Sequence, residues 1–111
     1  MTDLVIIFTT VPDDERAGQL ARRLVDERLA ACVNLYPAMT SHYHWQGKLE
    51  EDAERQMVIK TTRERVPALS ARLAQLHTYE LPEFLVVAVA DSSEGYLKWV
   101  KDETSNLSSP D

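Results

Sequence analysis

The chain has 111 residues, of which 44% are hydrophobic, and its formal net charge is -6. This length predicts one domain over residues 1–111, with enough apolar surface for a single core. A general nucleic-acid binder or a partner of anionic membranes would need a basic patch, so the acidic balance argues against both classes. Cys32 is the one cysteine. No intrachain disulfide can form, and we expect a cytoplasmic protein.

The start of the chain predicts a strand followed by a helix. The apolar run within Asp3 to Thr10 is rich in β-branched residues, which is typical of a strand buried on both faces. Asp13 or Asp14 can cap the next element. From Glu15 to Arg28 the apolar residues recur at helical spacing, which predicts an amphipathic helix.

A long pattern of period two comes next. From Ala31 to Trp45 the odd positions are mainly apolar, and alternation resumes from Leu49 to Lys60 after Gly47. This pattern predicts one long β-hairpin that turns at Gly47. Each arm would span on the order of 55 Å, whereas a domain of this size is roughly 35 Å across. The tip of the hairpin is therefore predicted to overhang its own domain.

An overhanging tip would leave apolar side chains bare in a single chain. We therefore expect the tip to pack on another copy, with Met39, Tyr43, Trp45 and Leu49 in the interface. The alternative is a hairpin that is broken at Pro37 and continues as a local loop, since proline is tolerated at a bulge or on an edge.

The rest of the chain predicts a helix, a loop and a strand. Helical spacing runs from Thr62 to His77, and Pro67 places the first turn near Arg63 to Arg65. Thr78 to Glu83 is predicted to be a loop. Phe84 to Ala90 is an apolar run that predicts a second strand buried on both faces.

A short third helix is predicted at the end of the chain. Asp91 and Glu94 have the spacing of a capping box, and the helical pattern ends near Glu103. Residues 105–111 are polar and are predicted to form a frayed terminus.

The predicted order of elements is β-α-β-β-α-β plus the terminal helix, which indicates an α+β fold of the ferredoxin-like type. Right-handed crossovers would place both longer helices on one face of a four-stranded antiparallel sheet. The first and third strands would be central, and the second and fourth would be edges. An edge strand as long as Ala31 to Trp45 invites aggregation unless it is covered, which is a second reason to expect an oligomer.

Five segments of the chain form a recognisable set: ERLAACVNL, TSHYHWQGKLEED, MVIKTT, HTYELPE and YLKWV. In this order and with this spacing they closely resemble the CutA family of divalent-cation-tolerance proteins. The resemblance implies a ferredoxin-like fold and a homotrimer held together through the long hairpins. It also implies a cytoplasmic protein linked to tolerance of copper and other divalent cations, with no established reaction.

The copper ligands assigned in that family match this sequence only in part. The thiol corresponds to Thr9 and the histidine pair to Leu76 and His77, so the resemblance carries over His77 alone. A single imidazole does not make a copper site. His42 and His44 point to the same face of a strand and could hold a metal if a third ligand came from Glu50, Glu51 or a neighbouring chain. The alternative is that both histidines are simply solvated.

A small-molecule cleft is predicted at the loop that precedes the last strand. His77, Tyr79, Glu80 and Glu83 place an imidazole, a phenol and two carboxylates on one segment. Lys60 ends the returning arm of the hairpin, and in the family such residues line a cleft between subunits. This combination would suit an anionic or zwitterionic ligand. The alternative is a structural ion pair between Lys60 and Glu80.

Two other function classes are weaker. A PII-like trimeric signalling protein that binds a nucleotide would share the fold, but the chain has only three glycines and no glycine-rich phosphate loop. An acylphosphatase-like enzyme would cradle phosphate after the first strand, where Asp13 and Asp14 would repel it. The sequence therefore favours a CutA-type protein without enzymatic activity.

Overall fold

The chain folds into one antiparallel sheet with three helices, which confirms the predicted α+β class. The computed structural model describes residues 2–105, so residues 106–111 of the predicted frayed terminus lie outside the described part. The elements in chain order are β1 (Leu4–Pro12), α1 (Glu15–Asp26), β2 (Cys32–Leu35), β3 (Met39–Trp45), β4 (Lys48–Thr62), a 3-10 turn (Arg63–Arg65), α2 (Val66–Leu76), β5 (Leu85–Ala88) and α3 (Glu94–Glu103).

The sheet has the order β2-β4-β1-β5, and β3 extends it by pairing with the outer part of β4. The central pair runs from Leu4 opposite Thr62 to Pro12 opposite Glu54. This is the predicted ferredoxin-like arrangement, with the first strand and the returning arm of the hairpin in the centre. The first arm and the last strand form the edges.

One face of the sheet is covered by α1 and α2. Successive side chains of a strand point to opposite faces, so Ile7 and its partner Ile59 both face these helices. The two helices close this core with their apolar stripes. The buried cluster contains Val5, Ile7, Val11, Ala17, Leu20, Leu24, Leu29, Ala30, Met57, Ile59, Leu69 and Leu73. Within residues 2–105 no helix has the length and apolar character that a bilayer crossing requires.

The helix ends follow from capping chemistry. Asp14 caps α1, because its carboxylate accepts a hydrogen bond of 2.9 Å from the backbone N–H of Arg16. The helix ends at Asp26, before the predicted Arg28, because Arg28 adopts a left-handed φ of 60°. The α3 helix is capped by Ser93, whose hydroxyl accepts from the N–H of Tyr96 at 3.2 Å. The predicted capping box that begins at Asp91 is therefore wrong.

The last strand is not buried on both faces in the single chain, which corrects the prediction for Phe84 to Ala90. Leu85 and Val87 are 55% and 45% exposed. They pair with Phe8 and Ile6, which are only partly buried, on the sheet face opposite α1 and α2. We call these four side chains the open face.

The first arm of the hairpin is divided into two strands, β2 and β3, which both pair with β4. Leu35 pairs with Met57 and Met39 pairs with Glu54, so three residues around Pro37 stand opposite two residues of β4. This is a β-bulge at the predicted break point. The chain beyond it is not a local loop, however, because β3 resumes pairing with β4.

The bulge moves the side chains of β3 to the other face, because a shift of one residue reverses the alternation. Beyond the bulge, Tyr43 pairs with Glu50 and His44 pairs with Leu49. Met39, Tyr43 and Trp45 therefore lie on one face of the ribbon and Leu49 on the other. The four predicted interface residues do not share a face.

The tip of the hairpin overhangs the domain as predicted. Lys48 to Ala53 of β4 pair only with β3, and six residues span about 20 Å. The longest dimension of the molecule is 48 Å, compared with 32 Å and 23 Å along the other axes. Gln46 and Gly47 form the turn with φ of 52° and 82°, as a type I′ turn requires.

We expect Gly47→Ala to destabilise the fold by about 1 kcal/mol, because alanine resists the positive φ of this turn. Gly18→Ala is the matched control. It lies in α1, where an added Cβ would meet no atom within 4 Å, and should stabilise the fold by roughly 0.5–1 kcal/mol. Urea unfolding at one fixed protein concentration measures both changes. Equal effects of the two substitutions would contradict the assigned turn.

Candidate functional site

A groove of about 820 Å³ lies between the ribbon formed by β3 and β4 and the loop that precedes β5. We call it the hairpin groove. Three segments of the chain form most of its wall: β3, the outer half of β4, and the loop from Tyr79 to Glu83. The lining residues are Thr10, Pro12, Met39, Ser41, His42, Tyr43, Trp45, Asp52, Ala53, Glu54, Gln56, Tyr79, Glu80, Leu81, Pro82 and Glu83.

The hairpin wall of the groove combines aromatic and acidic side chains because of the bulge. Tyr43 and Trp45 share a face with Asp52 and Glu54 through the pairing of β3 with β4. The hydroxyl of Tyr43 donates a hydrogen bond to the carboxylate of Asp52. This bond, with a smaller contribution from burial, raises the pKa of Tyr43 to about 12. The phenol therefore stays protonated at neutral pH and remains a donor.

Glu54 connects the hairpin to the loop. It is 8% exposed, and its carboxylate accepts a hydrogen bond of 3.0 Å from the hydroxyl of Tyr79. A carboxylate at this depth is costly unless donors reach it, and Tyr79 supplies one. Burial and the bond to Glu54 both raise the pKa of Tyr79. The loop is thus fixed to the hairpin root through a buried acid.

His77 fastens the start of the loop. Its Nε2 lies 2.7 Å from the carbonyl oxygen of Thr10, and its Nδ1 accepts from the backbone N–H of Tyr79 at 3.1 Å. These partners assign the neutral ring with its proton on Nε2. Burial lowers the pKa of His77, which favours the same form. Both nitrogens are engaged by backbone groups, and this geometry leaves neither one facing the groove as a ligand.

Gln56 fastens the end of the loop. Its amide Nε2 donates to the carbonyl oxygen of Thr9 at 2.9 Å and to Oε2 of Glu83 at 2.8 Å. The sequence interpretation did not place Gln56, Asp52 or Glu54 in the predicted cleft. A signal was present, because a two-residue turn at Gly47 pairs odd positions of β3 with even positions of β4.

The structure brings together part of the predicted small-molecule cleft. Tyr79, Glu80 and Glu83 line the hairpin groove, and His77 lies beside Tyr79 with ring centroids 4.8 Å apart. Lys60 does not line it, since it lies roughly 13 Å along β4 from the wall residue nearest to it. The described residues that line the groove include four carboxylates and neither lysine nor arginine.

The candidate metal ligands remain separate in the single chain. His42 and His44 share a strand face as expected, and Nδ1 of His42 lies 3.6 Å from Oε2 of Glu51. Cys32 lies on the other side of the bulge, where its Sγ is 3.8 Å from Oδ1 of Asn34. No group of three or more His, Cys, Asp or Glu side chains within residues 2–105 has an arrangement that could hold a metal ion.

The sheet order, the two helices on one face and the overhanging hairpin define a ferredoxin-like α+β protein with an extended β-ribbon. The chain belongs to the CutA1 divalent ion tolerance protein family, whose model matches residues 5–103. The resemblance seen in the sequence is thereby confirmed.

Individual relatives agree with this assignment. The divalent-cation tolerance protein CutA of Thermus thermophilus is 42% identical over 99 residues, which are 89% of this chain and 96% of the relative. Human protein CutA is 45% identical over 101 residues, which are 91% of this chain and 56% of the human protein. The crystal structure of CutA from Xylella fastidiosa superposes with a TM-score of 0.90 and is 44% identical, covering 94% of this chain and 100% of that one.

We expect His77→Gln to reduce the loss of stability in acid. The folded state lowers the pKa of His77 below its ordinary value of 6.5, so the unfolded chain binds this proton more tightly. The contribution of the neutral ring is present above pH 6.5 and is lost as the pH falls below it. Glutamine keeps a donor and an acceptor but does not titrate.

Urea unfolding between about pH 8 and 5 measures this difference, and His44→Gln on the exposed ribbon is the control. The wild type and the control should lose stability in parallel, while His77→Gln loses less. Three parallel curves would show that His77 is not the titrating group.

Proposed function

We propose that this chain acts as a CutA-type protein of divalent-cation tolerance, without enzymatic activity, in the cytoplasm and as a homotrimer. Family membership supports the link to divalent cations. The overhanging hairpin is the main support for the proposed homotrimer, because a two-stranded ribbon on its own is at best marginally stable in water. Its tip exposes Leu49 by 65% and Tyr43 by 41%.

The open face supports the same assembly. Leu85 and Val87 are about half exposed, although burying such a side chain stabilises a protein by roughly 1.5–3 kcal/mol. The β2 and β5 strands are also edges with unpaired backbone groups. A hairpin that crosses onto the next copy would cover apolar surface on both partners. Closed cyclic symmetry repeats this contact at each interface, and three copies are what the family resemblance implies.

We propose that the hairpin groove is the ligand cleft of this protein, with Tyr79, Glu80 and Glu83 on its loop wall. The volume of about 820 Å³ is in the range of small-molecule sites. Its carboxylates would repel a nucleotide, which argues against the PII-like alternative. No three potential ligands within residues 2–105 converge in one copy, so a site that these residues form for copper or another divalent cation would need ligands from more than one copy. His42 and His44, with Glu51 beside them, are the candidates for one copy's share.

We expect His77→Ala to change copper affinity by less than tenfold, because both ring nitrogens are held by backbone groups. Calorimetric titration with copper compares it with the wild type and with a His42→Ala, His44→Ala double variant. The double variant should show the larger loss. A tight stoichiometric site that disappears in His77→Ala would contradict the proposed ligands.

We expect light scattering of the wild type at micromolar concentration to give three times the chain mass of 12.6 kDa. Its melting temperature should rise with protein concentration, as mass action requires. Trp45→Ala should cost about 3–5 kcal/mol per chain if a neighbour buries this ring. Trp45→Phe keeps an aromatic ring and should cost less. A monodisperse wild-type monomer would refute the assembly.

A further inference from the structure

A second cavity, of about 570 Å³, lies at the end of the sheet farthest from the hairpin tip. It is enclosed by the end of β4, the 3-10 turn that follows, and the end of α3, and we call it the α3 cavity. Its wall includes Asp3, Thr62, Glu64, Arg65, Lys101 and Thr104. The described residues that line it include none from the hairpin groove, from β3 or from the open face. It is therefore distinct from the surfaces that the proposed homotrimer would cover.

Two polar groups in this wall are buried without a partner. The Nε atom of Arg65 is enclosed, and no hydrogen-bond acceptor within residues 2–105 reaches it. Thr62 is 6% exposed, and its hydroxyl neither caps the 3-10 turn nor bonds to another described group. Buried polar groups are nearly always hydrogen-bonded, so two unpaired groups at one cavity indicate a partner from outside the chain.

The chemistry of Arg65 defines this partner. A guanidinium group carries donors only, whereas the hydroxyl of Thr62 can donate or accept, so the partner has to be an acceptor. The Nε–H and one terminal N–H lie along the same edge of the guanidinium plane, and this edge matches the two oxygens of a carboxylate. None of the ion pairs among the described residues includes Arg65, so its charge is available.

The other charges of the wall restrict the ligand further. Nζ of Lys101 lies 3.0 Å from Oδ2 of Asp3, and this pair is neutral as a whole. Glu64 and Arg65 remain, one of each sign, so the wall has no net formal charge. In a chain of net charge -6, such a wall gives a doubly charged phosphate little net attraction. A molecule with one carboxylate and one ammonium group finds a partner for each.

We propose that the α3 cavity binds a small zwitterion of the α-amino-acid type. Its carboxylate accepts from the Nε edge of Arg65 and from the hydroxyl of Thr62, and its ammonium group pairs with Glu64. The volume of about 570 Å³ is in the range of small-molecule sites. This inference goes beyond the proposed function and uses none of the residues on which the hairpin groove or the homotrimer depends.

NMR titration of the isotope-labelled full chain tests the proposal by following the side-chain Nε–H signal of Arg65, which Arg65→Gln removes and thereby assigns. L-Alanine is the zwitterionic probe, and acetate and inorganic phosphate at matched ionic strength are the controls. L-Alanine should shift this signal in a saturable way, and at least about fivefold more tightly than acetate or phosphate, because only the zwitterion also pairs with Glu64.

Matched variants then locate the site through the backbone signals of the cavity. Arg65→Gln should weaken L-alanine binding about tenfold or more, and Thr62→Val, which keeps the shape of the side chain, about fivefold. Arg63→Gln removes the same charge from an exposed position in the same turn, outside the cavity, and should change binding less than about twofold. Glu64→Gln should weaken L-alanine but not acetate.

Three results would overturn the proposal. The first is no saturable shift up to tens of millimolar L-alanine, which would leave a water molecule as the partner of Arg65. The second is an equal loss in Arg63→Gln, which would indicate only the general field of the turn. The third is binding of acetate or phosphate as tight as that of L-alanine. Melting curves check that each variant folds, and the exposed Glu64→Gln decides if Thr62→Val disturbs the fold.

Discussion

Two strand registers meet in the hairpin, and the difference between them determines which side chains line the hairpin groove. Near the core, Val33 and Leu35 must face Ile59 and Met57 to cover the sheet beneath α1 and α2. At the tip, the two-residue turn closes on Trp45 and Lys48, which sets a register shifted by one residue. The chain absorbs the difference in a bulge around Pro37, a residue that has no backbone N–H to leave unpaired.

The site is a direct consequence of that shift. Without it, Tyr43 would share a face with Leu49 and Ala53 of β4, and Asp52 and Glu54 would lie on the face opposite to Tyr43. With it, phenols and carboxylates meet in one groove, and the hydroxyl of Tyr79 makes the buried charge of Glu54 tolerable. The neutral ring of His77 then holds the loop in place, using one nitrogen as a donor and the other as an acceptor.

The sequence was sufficient for the order of elements, because hydrophobic periodicity is a local property of each segment. The groove does not follow from the parity of one arm alone, because it also depends on the register that the two-residue turn at Gly47 sets between the arms. The same limit explains why the sequence does not show that Lys60 lies outside the hairpin groove, because its distance from the loop depends on pairing along the whole of β4. The prediction of the α3 cap was wrong for a local reason. Asp91 and Ser93 are both good capping residues, and only the helix start at Glu94 distinguishes them.

The sequence of β1 contains more apolar residues than the fold of a single chain buries. An antiparallel sheet can leave one face in water when that face is polar, which produces strict alternation of apolar and polar residues. The run of apolar residues through Ile6, Ile7 and Phe8 does not alternate. One side of this strand is buried by α1 and α2. On the other side Leu4 is buried in a small cluster with Val100 of α3, whereas Ile6 and Phe8 belong to the open face that β5 shares. The homotrimer proposed above would account for the rest of the run, because another copy that covers the open face would bury Ile6 and Phe8.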